Sequence, residues 1–422
     1  MLNRQDNDLL CRVGPGTPMG HMMRRYWHPV CTSAQLPHAD AAPLRVRLLG
    51  EDYVAFRDSN GKVGLLEELC MHRGASLALG RVEEGGIRCL YHGWKFDVAG
   101  TVLETPNNSD PKYRLRMKAP AFPVREEGGM VWAYVGPKEL QPEFSRYAFM
   151  DADPAHRVVL RVNVECNYLQ LVEGGEDSSH VGVLHTNMAR PGWKDDDFQP
   201  NQDVVNPAAL STNDLEPVLK IEDTAFGFQY VALRKTNKQG VKNARVVPFI
   251  VPYGRVIPAT AFLFTVLEVP QDDTHTSTYI IVHGDSPVTE EKIIGLLGLG
   301  DAKYYDRKTC TFTATWADSF GQSRARMKEN WTGLQGVEVE DASIALSQGP
   351  LYDRSKEHLV PADQAVMRVR RVLLDSVKRV IESKPPVGVG IDLRGVSAVD
   401  AELADGGAWQ SLVPSHREAI SA

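Results

Sequence analysis

Cys70 and His72 stand two residues apart in CMHRGASL, and Cys89 and His92 stand three apart in CLYHGWKF. Thiolate and imidazole both ligate transition metals, and a glycine follows each pair, at 74 and at 93. One Cys-x-His arises easily by chance. Two pairs with sixteen residues between them, in similar settings, ask for a joint explanation. A structural zinc site of two Cys and two His groups like with like, as Cys-x2–4-Cys before His-x3–5-His. Here each segment offers one thiolate and one imidazole, which suits a two-iron cluster that both segments must reach. Both sulfurs would then hold one iron and both imidazoles the other. Zinc is the alternative reading of the same four residues.

A second constellation follows. EGGEDSSHVGVLH places Glu173, Asp177, His180 and His185 in the order E-x3-D-x2-H-x4-H. Two imidazoles and one carboxylate on one face of an iron leave open positions for oxygen. His180 and His185 are the imidazole candidates. Five residues on a regular helix turn about 140°, so both rings project alike only if the helix ends or widens there. Two unrelated helix histidines are the plainer reading of this stretch.

The elements that must position these groups can be read coarsely. GHMMRRYWHPV reads as a helical opening, and residues 44 to 135 as short strands with turns at Gly50-Glu51-Asp52 and Asp58-Ser59-Asn60-Gly61. MVWAYVGP is a further strand, so both Cys/His pairs fall in loops of a small β domain. Tyr168, Leu169, Leu171 and Val172 suggest a helix interrupted near Gly174-Gly175. Strands follow over 215 to 283. The clearest helix is PADQAVMRVRRVLLDSVKRVIES, with apolar 366, 369, 372, 373 and 377 on one face and Pro385-Pro386 beyond its end. From Val387 the Gly- and Ala-rich tail reads as a loose surface wrap.

The two Cys/His pairs are the Rieske [2Fe–2S] pattern, in which two His replace two Cys on one iron. CMHRGASL…CLYHGWKFD resembles the cluster signature of Rieske non-haem iron ring-hydroxylating oxygenases. MGHMMRRYWHPV, LVEGGEDSSHVGVLH and DRSKEHLVPADQAVMRVRR are similar to the phthalate 4,5-dioxygenase-like branch. The resemblance implies an α+β chain. Its parts are an N-terminal helical segment (1–40), an all-β Rieske domain (41–154), a helix-grip-like catalytic domain with a helix-flanked antiparallel sheet (155–386), and a tail (387–422). It also implies a carboxylate ligand from a C-terminal helix, which makes Asp341 the candidate, with Glu340 and Glu338 as fallbacks and His358 a surface residue. Asp177 would bridge a cluster histidine of a neighbouring subunit to an iron-ligand histidine, in a trimer or stacked hexamer. Asn167 and Glu173 would support the iron site from nearby.

The implied reaction uses O2 and electrons from a separate flavin/[2Fe–2S] reductase, so that NADH acts only indirectly. Substrates of this branch are mostly aromatic carboxylates. An arginine fork suits a carboxylate, and Arg245 is the first candidate, with Arg234 and Arg255 behind it. The 206–219 stretch holds no arginine, so a second cation for a dicarboxylate is not evident there. cis-Dihydroxylation is the favoured outcome, with monooxygenation or O-demethylation as the alternative. A Rieske protein that only transfers or senses electrons is the rival of another class.

Composition agrees with an enzyme of this kind. The 422 residues are 43% hydrophobic and 24% charged, with a net charge of −7, which argues against nucleic-acid or anionic-membrane binding. No apolar run approaches a membrane span and the start lacks a signal-peptide core, so a cytoplasmic protein is expected. Cys11, Cys31, Cys166 and Cys310 are scattered and read as free thiols.

Overall fold

The alternating stretch after residue 44 forms the expected small β domain. Leu44–Leu48, Glu51–Arg57 and Val63–Glu67 make an antiparallel meander that ends on Ala121–Phe122. Asp58 Oδ1 accepts the N–H groups of Asn60 and Lys62, closing the second turn as its Asp-Ser-Asn-Gly signal requires. A second sheet runs Arg81–Glu83, Gly86–Arg88, Lys95–Phe96 and Val102–Glu104. The computed structural model describes residues 2–110, 112–185, 214–236, 238–259, 261–328 and 330–413.

Among these residues there are six α-helices: α1 (Arg4–Cys11), α2 (Pro18–Met23), α3 (Tyr168–Glu176), α4 (Glu290–Leu297), α5 (Val337–Ser347) and α6 (Gln364–Ile381). The helical opening is shorter than its sequence suggests. It stops at Met23, and His28–Thr32 is a fully buried strand paired with Met130–Ala133. Tertiary contact decides this, because the His28 ring is locked between Tyr253 Oη (2.6 Å) and the Met23 carbonyl (2.9 Å).

The C-terminal half is built on one large sheet. In spatial order it runs Val218–Thr224, Gly227–Lys235, Val241–Ile250, Gly254–Pro258, Leu263–Pro270, Thr276–His283 and Arg157–Val164, then two short strands near 311 and 305. The long strands pair antiparallel, and alternate residues feed two cores. Ile280 and Val282 pack with α4 and α5, whereas Tyr279 and Ile281 face the side held by α3 and α6. The five apolar positions of α6 are all buried, as their spacing predicts.

Two local expectations need correction. The Gly174-Gly175 pair does not interrupt α3, which runs to Glu176 and ends at Asp177. A Cβ on Gly175 would lie 2.1 Å from the Arg255 guanidinium, so this glycine serves close approach and does not break the helix. The tail is not a loose wrap either. Val399–Ala404 pairs with Val241–Val246, which the neighbouring strand Gly254–Pro258 leaves free, and Trp409 is buried beyond it. The run VDAELA does alternate apolar with acidic residues, but Ala, Asp and Glu have low strand propensity and so short a run gives a weak signal.

Candidate metal centres

The two Cys/His loops are two copies of one turn. The Cys70 carbonyl accepts from the Gly74 N–H (2.8 Å) and the Cys70 N–H donates to the Ala75 carbonyl (2.8 Å). Likewise the Cys89 carbonyl accepts from Gly93 (3.0 Å) and the Cys89 N–H donates to Trp94 (2.8 Å). Gly74 and Gly93 both take positive φ, 70° and 75°, where a side chain would be strained. The frames match, and only the histidine moves, from the third loop position to the fourth. This offset is the one-residue difference in spacing.

In this frame Cys70 and Cys89 are buried, while His72 and His92 are half-buried with ring centroids 4.5 Å apart. Trp94 stacks on His72 at 4.7 Å and 5°, and donates its indole N–H to Asn107 (2.8 Å). Burial pushes the Cys70 thiol up to about 11, the neighbouring Cys89 sulfur adds to this, and the backbone N–H groups of His72 and Arg73 oppose it. Paired sulfurs, paired imidazoles and N–H donors aimed at sulfur fit a two-iron cluster of Rieske type.

The second centre assembles where α3 ends. The chain turns at Asp177 and makes a short 3₁₀ turn over His180–Gly182, so the two imidazoles meet despite their five-residue spacing. His180 Nε2 lies 3.2 Å from His185 Nε2, and Asp341 Oδ1, from the first turns of α5, lies 3.2 Å from His185 Nε2 and 3.8 Å from His180 Nε2. Ligands at right angles about an ion with bonds of about 2.1 Å sit about 3.0 Å apart. Two of the three separations come close to this and the third, at 3.8 Å, is wider, so the atoms surround one ion-sized site with an open side, and the two-His, one-carboxylate donor set suits non-haem iron.

The other nitrogen of each ring is held differently. His180 Nδ1 lies 2.5 Å from the backbone carbonyl of Asp177, which fixes Nε2 toward the ion. His185 Nδ1 lies 2.7 Å from Glu340 Oε2, and Thr332 donates to Glu340 Oε1 at 2.6 Å. Glu340, a fallback ligand on sequence, thus orients the ligand histidine instead. Adjacent carboxylates on a helix are 100° apart, so only one of 340 and 341 can face the ion. Burial lowers His180. In His185 burial is outweighed by Asp341 and Glu340, which push it up to about 10 without metal.

Asp177 is half-buried beside His180. Its Oδ1 takes the Ser179 N–H and hydroxyl (both 2.7 Å), and its Oδ2 stands 3.9 Å from His180 Nδ1. Asn167 and Glu173 make no direct hydrogen bond to the triad side chains among the described residues. Asn167 caps the far end of α3, accepting from Leu169 N–H and donating to the Cys11 and Asp273 carbonyls. Glu173 is locked in ion pairs with the buried Arg354 (2.8 Å) and Arg370 (2.6 Å). Their side-chain hydrogen bonds and ion pairs serve the packing of α3. His358 is exposed, as expected. Cys11, Cys31, Cys166 and Cys310 are free and buried.

A pocket of about 130 Å³ opens onto the triad, lined by Val247, Ile257, Phe264, Val266 and Leu297 together with Arg245 and Arg255. Arg245 donates to the Pro258 carbonyl (3.2 Å) and stands 3.5 Å from Asp400. Arg255 is paired with Glu268 at 2.9 Å. Arg234 is turned away to the Ser178 carbonyl (2.6 Å) and hydroxyl (3.0 Å), pinning the turn before His180. Residues 206–213 of the arginine-free stretch lie outside the described residues.

Known proteins share both halves of this arrangement. The Rieske [2Fe-2S] domain family matches residues 26–123, and the family described as LigXa C-terminal domain like matches 133–418. The phthalate 4,5-dioxygenase oxygenase subunit of Pseudomonas putida is 37% identical over 92% of this chain and 89% of its own length. The 3-chlorobenzoate-3,4-dioxygenase oxygenase subunit of Comamonas testosteroni is 31% identical over 92% and 91%. The 5,5'-dehydrodivanillate O-demethylase oxygenase subunit of a Sphingobium strain is 40% identical over 45% of each chain. Among solved structures, caffeine-bound NdmA of Pseudomonas putida CBB5 superposes with a TM-score of 0.60 over 92% of this chain and 99% of that one, at 17% identity, a likeness of fold.

Proposed function

Since the chain belongs to the Rieske non-haem iron oxygenases, as the oxygenase component of a multicomponent system, we propose that it hydroxylates an aromatic carboxylate, with cis-dihydroxylation of the ring as the outcome. The carrying observation is the apolar pocket in which Arg245 and the His180/His185/Asp341 triad meet. Cys70, Cys89, His72 and His92 hold the cluster in this reading, and His180, His185 and Asp341 hold the iron. When bound, the cluster supplies single electrons and the iron activates O2. The chain's own residues do the rest. Apolar side chains grip the ring and exclude water, Arg245 orients the carboxylate, and Glu340 and the Asp177 carbonyl fix the imidazoles.

Arg255 is held by Glu268 at 2.9 Å, whereas Arg245 stands 3.5 Å from Asp400, so the described pocket offers one arginine, which suits a substrate with one carboxylate better than phthalate, which has two. Benzoates with apolar substituents fit this balance. The O-demethylase relative keeps a second outcome open for substrates carrying an aryl ether. A flavin/[2Fe–2S] reductase in the cytoplasm supplies electrons, and a trimer or stacked hexamer lets Asp177 connect the cluster of one subunit to the iron of the next.

The test is oxygen uptake by purified protein with a reductase, over a panel of benzoates, phthalate and aryl ethers. Arg245→Gln should raise KM for the preferred acid at least ~10-fold with little change in kcat, since a charge-assisted pair to a carboxylate contributes about 1.5–3 kcal/mol. Equal KM in wild type and variant would remove Arg245 from the reading. Preference for an uncharged ether would favour the demethylase outcome.

A further inference from the structure

A second cavity, of about 230 Å³, reaches His180 and Asp341 from between α3, α5 and α6. It and the substrate pocket share Gly175, Asp177, Arg255 and Glu338 in addition to those two triad residues. Their linings differ in degree. The pocket is largely apolar, whereas Gln170, Gln348, Tyr352, Glu357, Asp363 and Arg370 give the second cavity a polar wall. Most of its acids are engaged: Glu173 and Glu357 by Arg370, Glu268 by Arg255 and Thr278, and Asp363 by the Val360 N–H. Glu338 is the exception, with no hydrogen bond or ion pair among the described residues, in the wall common to both cavities.

Hydroxylation of an aromatic ring to a cis-diol takes up one O2, two electrons and two protons. The reductase would supply the electrons, and a ring seated in the apolar pocket would exclude water from that side. We propose that the second cavity is the solvent-side proton entry to the iron site, and that Glu338 is the carboxyl through which it communicates with the substrate pocket. The proposal rests on the oxygenase reading for its purpose, though not for its geometry. Water in the polar cavity would reprotonate one Glu338 oxygen after the carboxyl has passed its proton toward the iron-facing side. Burial, with Glu268 and Asp341 nearby, pushes Glu338 up to about 8, against the lowering effect of Arg255 and His185. A carboxyl that is protonated at neutral pH can donate.

Two arms test this. In metal-free protein at neutral pH, infrared difference spectroscopy on transfer to D2O should show a protonated carboxyl band that is absent in Glu338→Gln. Ala345 lines the second cavity and not the pocket, so Ala345→Leu should slow deuteration of that band at least ~10-fold. Ile344→Trp, at a largely exposed position of the same wall, does the same without adding bulk to the core. In metal-loaded protein with reductase, Glu338→Gln should lower kcat by about 10²-fold or more, leave KM within about twofold, and divert oxygen into hydrogen peroxide. Glu338→Asp restores part of the loss. A missing band, or deuteration as fast in both plugged variants as in wild type, overturns the proposal. Wild-type protein that takes up no oxygen with any aromatic acid would overturn the oxygenase reading instead, and the infrared arm would still decide the cavity.

Discussion

The cluster loops and the triad solve the same problem, holding metal ligands at fixed separations, by opposite means. All four cluster residues come from one stretch of 23 residues, on two loops that repeat a single hydrogen-bonded frame. Their sheets fix them, and the imidazoles stay half-exposed. The triad takes two imidazoles from the turn after α3 and a carboxylate from α5, 156 residues after His185. It exists only when both helices are docked on the sheet. The cluster should therefore respond to local change and the triad to distant packing as well.

The strongest way to break this contrast is to delete one ligand on each side. Asp341→Ala should abolish oxygen uptake and lower iron from about three to about two per chain, with about two acid-labile sulfides and the reduced-cluster EPR signal retained. Cys89→Ser should do the reverse, losing the sulfide and its two irons. Sulfide lost from Asp341→Ala would mean that the two centres are not independent.

Distant packing comes next. Arg354→Leu leaves Glu173 with Arg370 alone in a buried place, and should cost about 3 kcal/mol in denaturant unfolding. It should also weaken triad iron while the cluster content holds. Equal loss from both centres would point to global unfolding rather than a shift of α3.

Glu340→Gln keeps the shape and removes the charge behind His185. Iron affinity or turnover should drop about 10- to 100-fold. The metal-free protein offers a pH test with a definite sign. His185 is raised to about 10 from an ordinary value near 6.5. Its stabilisation is complete below about pH 6.5 and is lost as pH rises through about 10. Thermal unfolding of wild type should fall over this window, and Glu340→Gln should flatten the slope. An unchanged slope would remove Glu340 as the cause.

The smallest effect belongs to Asn167→Ala, which removes the N-cap of α3 and two long-range hydrogen bonds. It should lower stability by about 1–2 kcal/mol with iron affinity within twofold. A large loss of iron would return Asn167 to the supporting role that the family resemblance implied.

Asp341 shows how far the sequence could be read. Resemblance to a helical carboxylate pointed to it, yet Glu340 and Glu338 had equal chemistry, and one turn of α5 decides among the three. One joins His180 and His185 at the candidate metal site, one holds His185, and one lies in a cavity wall. The same limit applied to Gly175, whose need for a bare Cα comes from Arg255, 80 residues away. It applied again to Val399–Ala404, whose pairing depends on an edge that another strand leaves open.

The sequence by itself determined the cluster, because both metal-binding loops are local turns whose ligands, glycines and flanking strands lie side by side in the chain. It also determined the period of α6, whose five spaced apolar positions are all buried, whereas the long strands are buried on both faces and carry no such period. Only the tertiary structure decided which carboxylate completes the triad, which charges are consumed by packing, and which pockets meet at the metal. Those facts depend on contacts between segments far apart in sequence, whose separation is set by the docking of helices on a sheet and leaves no local pattern.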